Sequence, residues 1–172
     1  ARAGVRLTCF HHAVDGATVG PADFVFRGRP DCIAAADLPN DCAAHLSGHI
    51  HRHQVLTGEA PVVYCGSTER TSFAEQAERK GFCELLFDGT RLTKIEFIPL
   101  PARPMIDFVP RDHPPLEPVD RTVRRFESFC ATIPGNAIVR IPLTRYPDAD
   151  VGRRIHAAHR GIVQLAVSRA NA

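Results

Sequence analysis

The stretch that decides how this chain folds is Cys42-Ala43-Ala44-His45-Leu46-Ser47-Gly48-His49-Ile50-His51. Residues 42 to 46 are largely apolar, with Asn40-Asp41 before them and Gly48 after them, which predicts a short buried strand that ends in a loop. The last two histidines then lie just past the carboxyl end of that strand. In an open α/β sheet, loops at this edge usually hold the ligand, because a rigid strand positions the side chains that the loop exposes.

His49 and His51 are separated by one residue and follow a glycine, so both imidazoles can turn toward one metal centre. Neutral imidazole binds zinc, manganese, iron or nickel, and two histidines do not discriminate among these metals. A pair of this kind, taken alone, more often consists of two surface histidines. The surrounding sequence therefore has to decide between a metal site and a solvated loop.

Three further features of the sequence surround this pair in a recognisable order. They are the upstream block Val5-Arg6-Leu7-Thr8-Cys9-Phe10-His11-His12-Ala13-Val14-Asp15-Gly16, the extension Arg52-His53-Gln54, and the downstream block Val63-Tyr64-Cys65-Gly66-Ser67-Thr68-Glu69-Arg70-Thr71-Ser72-Phe73-Ala74-Glu75 with Lys80-Gly81-Phe82. Together with the histidine pair, they resemble the calcineurin-like metallophosphoesterases, and most closely the DNA double-strand-break repair exonucleases of the SbcD type. The resemblance covers residues 5 to 110.

This resemblance implies a two-metal centre that holds Mn²⁺ or Mg²⁺. His11 and His49 would be ligands of one ion and His51 a ligand of the other. His12 stands where the family has glutamine, so either His11 or His12 is the upstream ligand, and His11 is favoured because it directly follows the apolar run. Cys65 stands where the family usually has proline.

Three residues in the loops expected to face the ions are candidates for binding the substrate: Arg70, Arg52 and Ser67. An arginine can hold a phosphate by charge-assisted hydrogen bonds, but Arg70 could equally form an ion pair with Glu69 or Glu75. Arg52 could meet either substrate or water.

The family's other ligands come from an N-terminal half with Asp-x-His, Gly-Asp and Gly-Asn-His motifs, and none of these motifs occurs here. The catalytic-acid histidine belongs to the missing half, so we expect no catalytic residue in this sequence. Because the chain opens on Ala1 and its only methionine is Met105, we expect a C-terminal fragment that is inactive alone. Three imidazoles without bridging carboxylates would leave much of the charge on two divalent ions unneutralised.

For the intact protein, the resemblance implies a DNA exonuclease with some single-strand endonuclease activity in double-strand-break repair. It also implies a homodimer that works with an SMC-like ATPase subunit of the SbcC type. Two alternatives remain open. One is a metallophosphoesterase that acts on nucleotides or phosphoproteins, and the other is a non-catalytic module that binds DNA or docks a partner.

Composition gives a weaker guide to function. The chain has 172 residues, 44% of them hydrophobic, which is enough for a packed core. The net charge of +2 and the pI near 8.3 are no strong signature of nucleic-acid binding. No apolar run reaches the roughly 20 residues that span a bilayer. The six cysteines are scattered without a Cys-x-x-Cys pair, which favours buried thiols in a reducing cytoplasm.

The predicted fold class is α/β (α+β): the C-terminal half of a metallophosphoesterase β-sandwich flanked by helices, over residues 1–99, and then a partial small α/β capping domain that binds DNA, over residues 100–172. The turn formers between residues 15 and 41 predict a long connection with little regular structure. Residues 82–87 and 92–98 flank Asp88-Gly89, which predicts a hairpin that closes the edge of a sheet.

The capping domain is predicted to follow a proline-rich linker that begins at Pro99. Apolar residues recur at helical spacing from Val119 to Ile133, and Pro134-Gly135 ends that helix. Residues 137–143 alternate as a strand, a second helix starts at Asp148 and ends by Gly161, and residues 163–167 alternate again. The predicted order is helix, strand, helix, strand.

Overall fold

The computed structural model describes residues 4–108, 118–141, 149–159 and 163–164, and it divides the chain into two compact units, residues 1–102 and 103–172. The strands in chain order are β1 (Leu7–Phe10), β2 (Ala13–Val14), β3 (Thr18–Val19), β4 (Phe24–Val25), β5 (Cys32–Ile33), β6 (Ala44–Ser47), β7 (Gln54–Leu56), β8 (Val62–Tyr64), β9 (Gly81–Asp88), β10 (Arg91–Pro99), β11 (Met105–Asp107), β12 (Ile138–Arg140) and β13 (Val163–Gln164). The helices are α1 (Val119–Cys130) and α2 (Ala149–Ala158), and 3₁₀ turns span Ala35–Asp37 and Phe73–Glu75.

A four-stranded sheet in the order β1-β6-β8-β7 organises the first unit. β1, β6 and β8 run parallel, and β7 is antiparallel to β8. The three parallel strands therefore end at the same edge, and the loop after each begins there. The predicted strand over residues 42–46 is confirmed, with a start at Ala44 and an end at Ser47.

The predicted long connection between residues 15 and 41 contains only two-residue strands and one 3₁₀ turn. β2 pairs with β5, and β3 pairs with β4. A small apolar core lies between this segment and the four-stranded sheet, with Val14, Ala17, Ile50, Val62 and Tyr64 all buried. This packing holds the 15–41 segment against the sheet.

The β9–β10 hairpin is confirmed, with Gly81 opposite Pro99 and Asp88 opposite Arg91. Its predicted place at the edge of a larger sheet is wrong for the residues described, because β9 and β10 form a two-stranded sheet of their own. Gly81 is buried, and a Cβ at this position would collide with the carbonyl oxygen of Ile98. A side chain is therefore excluded where the hairpin begins.

The second unit contains a parallel sheet in the order β11-β12-β13 and the helices α1 and α2. Its core consists of Phe108, Phe126, Val139, Ile141 and Ile155. The predicted order of helix, strand, helix and strand is confirmed over the described residues, and β11 precedes it. The predicted helix cap at residue 148 and the strand positions 142–143 and 165–167 lie outside the described residues.

The fold is mixed α and β, as the predicted α/β (α+β) class requires at that level. No α-helix occurs among residues 4–102, so helices that flank the first unit are not found within that range. Over the described ranges, neither α1 nor α2 is long and apolar enough to cross a membrane.

Candidate metal centre

The ends of β1 and β6 bring two of the predicted ligands together. β1 ends at Phe10 and β6 at Ser47, and these residues are register partners in adjacent parallel strands. His11 and His49 follow, both are exposed, and their ring centroids lie 5.3 Å apart. The ring of His12 lies 6.2 Å from that of His49, so both upstream candidates are near the same partner.

Glycine at position 48 lets the ring of His11 approach closely. A Cβ on Gly48 would lie 3.3 Å from Nδ1 of His11, which is tighter than ordinary van der Waals contact. The small residue before the histidine pair therefore leaves room for the upstream imidazole.

The main chain at His12 is held by two side chains from the sheet. Ser47 Oγ donates to the carbonyl oxygen of His12 at 2.8 Å, and the hydroxyl of buried Tyr64 donates to the same oxygen at 3.1 Å. The Tyr64 hydroxyl also accepts from the backbone N–H of Val14 at 2.8 Å. These bonds fix the peptide next to the upstream imidazoles relative to the strands that carry the other histidines.

His49 is suited to bind a metal ion as a neutral ligand. Partial loss of hydration lowers the pKa of its imidazole, and the neighbouring rings of His11, His12 and His51 lower the pKa further by repelling a positive charge. An uncharged imidazole keeps a lone pair available for a metal ion. The fourth ring in this set, His51, is partly exposed and lies on the same loop.

A buried carboxylate, Glu75, contacts His51. Its Oε1 lies 3.1 Å from Nδ1 of His51 and accepts from Thr71 Oγ1 at 2.7 Å and from Ser72 Oγ at 3.3 Å. Its Oε2 accepts from Lys80 Nζ at 2.6 Å. Burial alone would raise the pKa of Glu75, but the hydrogen bonds from Lys80, Thr71 and His51 outweigh it and lower the pKa from 4.5 to about 2. The carboxylate therefore stays ionised across the physiological range.

Lys80 joins this carboxylate to the loop that carries His51. Its side chain is fully buried, and Nζ donates to Ser67 Oγ at 2.9 Å, to the carbonyl oxygen of His51 at 3.2 Å and to Glu78 Oε2 at 3.3 Å. A buried ammonium needs such partners, because removal from water is costly for an unpaired charge. Lys80 thus links the loop that carries His51 to the segment that carries Ser67 and Glu75, by charge as well as by hydrogen bonds.

The Gly66-Ser67 turn packs directly on the loop of residues 48–53 between β6 and β7, which we call the histidine loop. Gly66 has φ +80°, and a Cβ there would lie 2.9 Å from the nitrogen of His53 and 3.0 Å from the carbonyl oxygen of His51. The N–H of Ser67 donates to that same carbonyl oxygen at 3.1 Å. Only glycine combines this backbone conformation with such a close approach.

The three candidate substrate residues all make internal contacts. Arg52 donates to Asp23 at 2.6 Å, to Glu78 at 3.1 Å and to the carbonyl oxygen of Gly20 at 2.7 Å. Arg70 donates to the carbonyl oxygens of Glu75 and Glu78, at 3.2 and 3.0 Å. Ser67 Oγ donates to the carbonyl oxygen of Glu69 at 2.7 Å. Each of these side chains stabilises the loops around the histidines, and a substrate contact would have to compete with these bonds.

The donor set fits part of a divalent-metal centre. It supplies clustered imidazoles, one of them with a lowered pKa, but the nearest buried carboxylate, Glu75, already accepts hydrogen bonds on both oxygens. Within the described ranges, no group of three or more histidine, cysteine, aspartate or glutamate side chains is arranged to hold an ion. Oxygen donors from elsewhere would be needed to complete a two-metal site.

A cavity of about 180 Å³ adjoins the histidine loop. Its apolar wall includes Val19, Phe26 and Ile50, and its polar wall includes His49 and His51. The cavity provides space for an organic group beside the imidazoles.

No protein-family model matches this chain, and a search of curated proteins also finds no match.

The supporting roles of Glu75 and Lys80 could not be predicted from the sequence. Both residues are charged and lie in a polar segment, which in a sequence is typical of a solvated loop. Only the spacing of Gly66, Ser67 and Lys80 within the resembling block could have signalled a shared structural role.

Proposed function

We propose that this chain is part of a two-metal phosphodiesterase that acts on DNA. The observation that supports the proposal most directly is the 5.3 Å approach of the His11 and His49 rings at the carboxyl ends of adjacent parallel strands. His51 lies on the same loop, and its Nδ1 is engaged by a carboxylate, as is common for histidines that bind metals.

In this proposal His11, His49 and His51 hold Mn²⁺ or Mg²⁺, and carboxylates from outside the described residues complete the site. When bound, two such ions activate a water molecule and stabilise charge on the attacked phosphoryl group. The residues of this chain orient the imidazoles: Ser47 and Tyr64 hold the peptide at His12, and Gly48 leaves room for the ring of His11.

DNA as the substrate follows from the resemblance to the SbcD-type exonucleases. The same resemblance supplies the proposed setting, a homodimer that repairs double-strand breaks with an SMC-like ATPase. The scattered cysteines favour the cytoplasm as its location. The segment from 103 to 172, which has its own core, is proposed as part of a capping domain that guides DNA.

The test is manganese-dependent hydrolysis by the gene product that contains this chain, measured on linear DNA, on a small phosphodiester and on a phosphopeptide. We expect faster hydrolysis of DNA than of the other two, and loss of that activity in His49→Ala. His156→Ala is the matched control, because His156 is exposed on α2 in the other unit. Preference for the small diester or the phosphopeptide would contradict DNA as the substrate, and DNA binding without any hydrolysis would overturn the enzyme proposal.

A further inference from the structure

Lys80, Glu75 and Glu78 form a buried charge cluster beside the histidine loop, and Glu75 in this cluster contacts the ring of His51. Two groups lie at Nδ1 of this ring: Glu75 Oε1 at 3.1 Å and Thr71 Oγ1 at 3.2 Å. Which of the two ring nitrogens carries a proton decides which one can bind a metal ion.

Both neighbours of Nδ1 act as acceptors. Both oxygens of Glu75 accept hydrogen bonds, Oε2 from Lys80 Nζ at 2.6 Å and Oε1 from Thr71 Oγ1 at 2.7 Å, so this carboxylate has no proton to give. The hydroxyl of Thr71 has one proton, and its 2.7 Å contact with Glu75 Oε1 uses it. The oxygen of that hydroxyl is left to accept. Nδ1 must therefore be the protonated nitrogen, because a bare Nδ1 would face lone pairs on both sides.

The carboxylate is itself held in place from several directions. Lys80 Nζ donates to Oε2 at 2.6 Å, the backbone N–H of Thr71 donates to Oε2 at 3.3 Å, and Ser72 Oγ donates to Oε1 at 3.3 Å. Glu75 is only 8% exposed, so few water molecules compete for these oxygens. The acceptor that faces His51 is therefore fixed in position and in charge.

We propose that Glu75 is a positioning residue for the metal centre: it keeps the proton of His51 on Nδ1 and so leaves Nε2 as the nitrogen with a free lone pair. This inference rests on the proposed function and identifies a residue that orients one of its metal ligands. Lys80 and Thr71 act through Glu75 by fixing the orientation of its two oxygens. Residues that orient a metal-binding histidine in this way typically change metal affinity by about 10- to 100-fold when replaced.

The decisive variant is Glu75→Gln, which keeps the size of the side chain. Its amide oxygen can still accept from Lys80. The amide nitrogen then faces His51 and donates to Nδ1. We expect the ring to change tautomer, with the proton moving from Nδ1 to Nε2. Lys80 keeps Glu78, Ser67 and the carbonyl oxygen of His51 as partners in this variant.

The matched control is Glu78→Gln. Glu78 also pairs with Lys80, at 3.3 Å, and lies in the same buried cluster, but its charged contacts are with Lys80 and Arg52. This change neutralises a neighbouring carboxylate without removing the acceptor at His51. A general loosening of the cluster would affect both variants, whereas loss of positioning affects only Glu75→Gln.

The measurement is side-chain nitrogen NMR of His51 in this chain without metal, at a pH where the ring is neutral, with the signal assigned by His51→Gln. We expect the Nδ1-protonated tautomer in the unmodified chain and in Glu78→Gln, and the other tautomer in Glu75→Gln. An Nε2-protonated ring in the unmodified chain would overturn the inference, and this result needs no variant to fold. An unchanged tautomer in Glu75→Gln would overturn it as well.

A second measurement separates this inference from the proposed function. In the gene product that contains this chain, we expect Glu75→Gln to raise the manganese concentration needed for half-maximal hydrolysis about 10- to 100-fold, and Glu78→Gln to leave it nearly unchanged. Absence of hydrolysis in the unmodified protein would overturn the proposed function, whatever the tautomer of His51. An equal response of the two variants would overturn the positioning role alone.

Discussion

Replacing Lys80 with methionine removes a buried charge while it keeps a side chain of similar length. In the native protein the ammonium group is fully buried and lies 2.6 Å from Glu75 Oε2. The change leaves Glu75 ionised and buried without its cationic partner. An uncompensated buried charge is strongly destabilising, because water does not solvate it and no counter-ion pairs with it.

The size of the effect follows from the pKa of Glu75. The native contacts lower this pKa from 4.5 to about 2, which corresponds to about 3 kcal/mol of stability at neutral pH. Removal of one partner of a buried ion pair typically costs about 3–5 kcal/mol. We therefore expect Lys80→Met to lower the free energy of unfolding by about 3 kcal/mol at neutral pH.

The pH dependence gives the sign. Because the folded pKa of Glu75 lies below its ordinary value, its contribution is present above pH 4.5 and is lost as the pH falls toward 2. In Lys80→Met, burial without the cation raises the pKa of Glu75, so the carboxyl group becomes neutral at a higher pH. The difference between the variant and the native chain should therefore shrink on acidification.

The assay is urea denaturation of both chains at neutral and acidic pH, with Lys94→Met as the control. Lys94 also lies 2.6 Å from a carboxylate, Glu96, but its side chain is 56% exposed. An exposed pair of this kind contributes about 0–1 kcal/mol. A cost of Lys80→Met no larger than that of Lys94→Met, or an equal cost at acidic pH, would contradict a stabilising role for the buried Lys80–Glu75 pair.

Three further substitutions test other parts of the structure. Tyr64→Phe removes a hydroxyl that satisfies two main-chain groups and should cost about 1–3 kcal/mol in urea denaturation; an unchanged midpoint would contradict a stabilising role for these two hydrogen bonds. Phe126→Ala empties the fully buried centre of the second unit and should cost about 3–5 kcal/mol by the same assay, whereas a cost under about 1 kcal/mol would be typical of a surface site. In the gene product that contains this chain, Gly48→Ala places a methyl group 3.3 Å from His11 Nδ1 and should weaken manganese-dependent hydrolysis without unfolding the protein, which circular dichroism can check. Full activity in that variant would argue against a role for His11.

The regular elements with a clear hydrophobic period could be predicted from the sequence. The Asp88-Gly89 turn signal between residues 82–87 and 92–98 predicted the hairpin, and the apolar spacing around Phe126 predicted α1. In these segments the pattern of burial is set locally, because one face of each element packs and the other does not.

The short strands β2 to β5 could not be predicted in the same way. Each has two residues, and a period of two leaves no visible pattern over such a length. β3 and β4 pair locally, but contacts distant in sequence, such as the bond from Thr18 N to Gln54 Oε1 at 2.8 Å, hold them against the sheet. Tertiary packing, and not local preference, decides these elements.

Prediction of the candidate site was likewise uneven. The histidine pair was visible because a glycine and two imidazoles form a recognisable pattern, and the structure places the rings of His11 and His49 5.3 Å apart at one edge of the sheet. Metal binding by these residues and by His51 stays a prediction. The burial of Lys80 was not visible, because lysine is almost never fully buried unless it is paired. Its pairing with Glu75 and Glu78 exists only once the loop from Gly66 packs on the histidine loop.

The most direct test of the central claim is a titration of this chain with Mn²⁺, followed by paramagnetic broadening of the histidine ring signals. We expect the signals of His11, His49 and His51 to broaden first, and those of buried His45 and of His156 in the second unit to broaden much later. Equal broadening of all histidines, or earlier broadening of His156, would contradict a metal centre at the ends of β1 and β6.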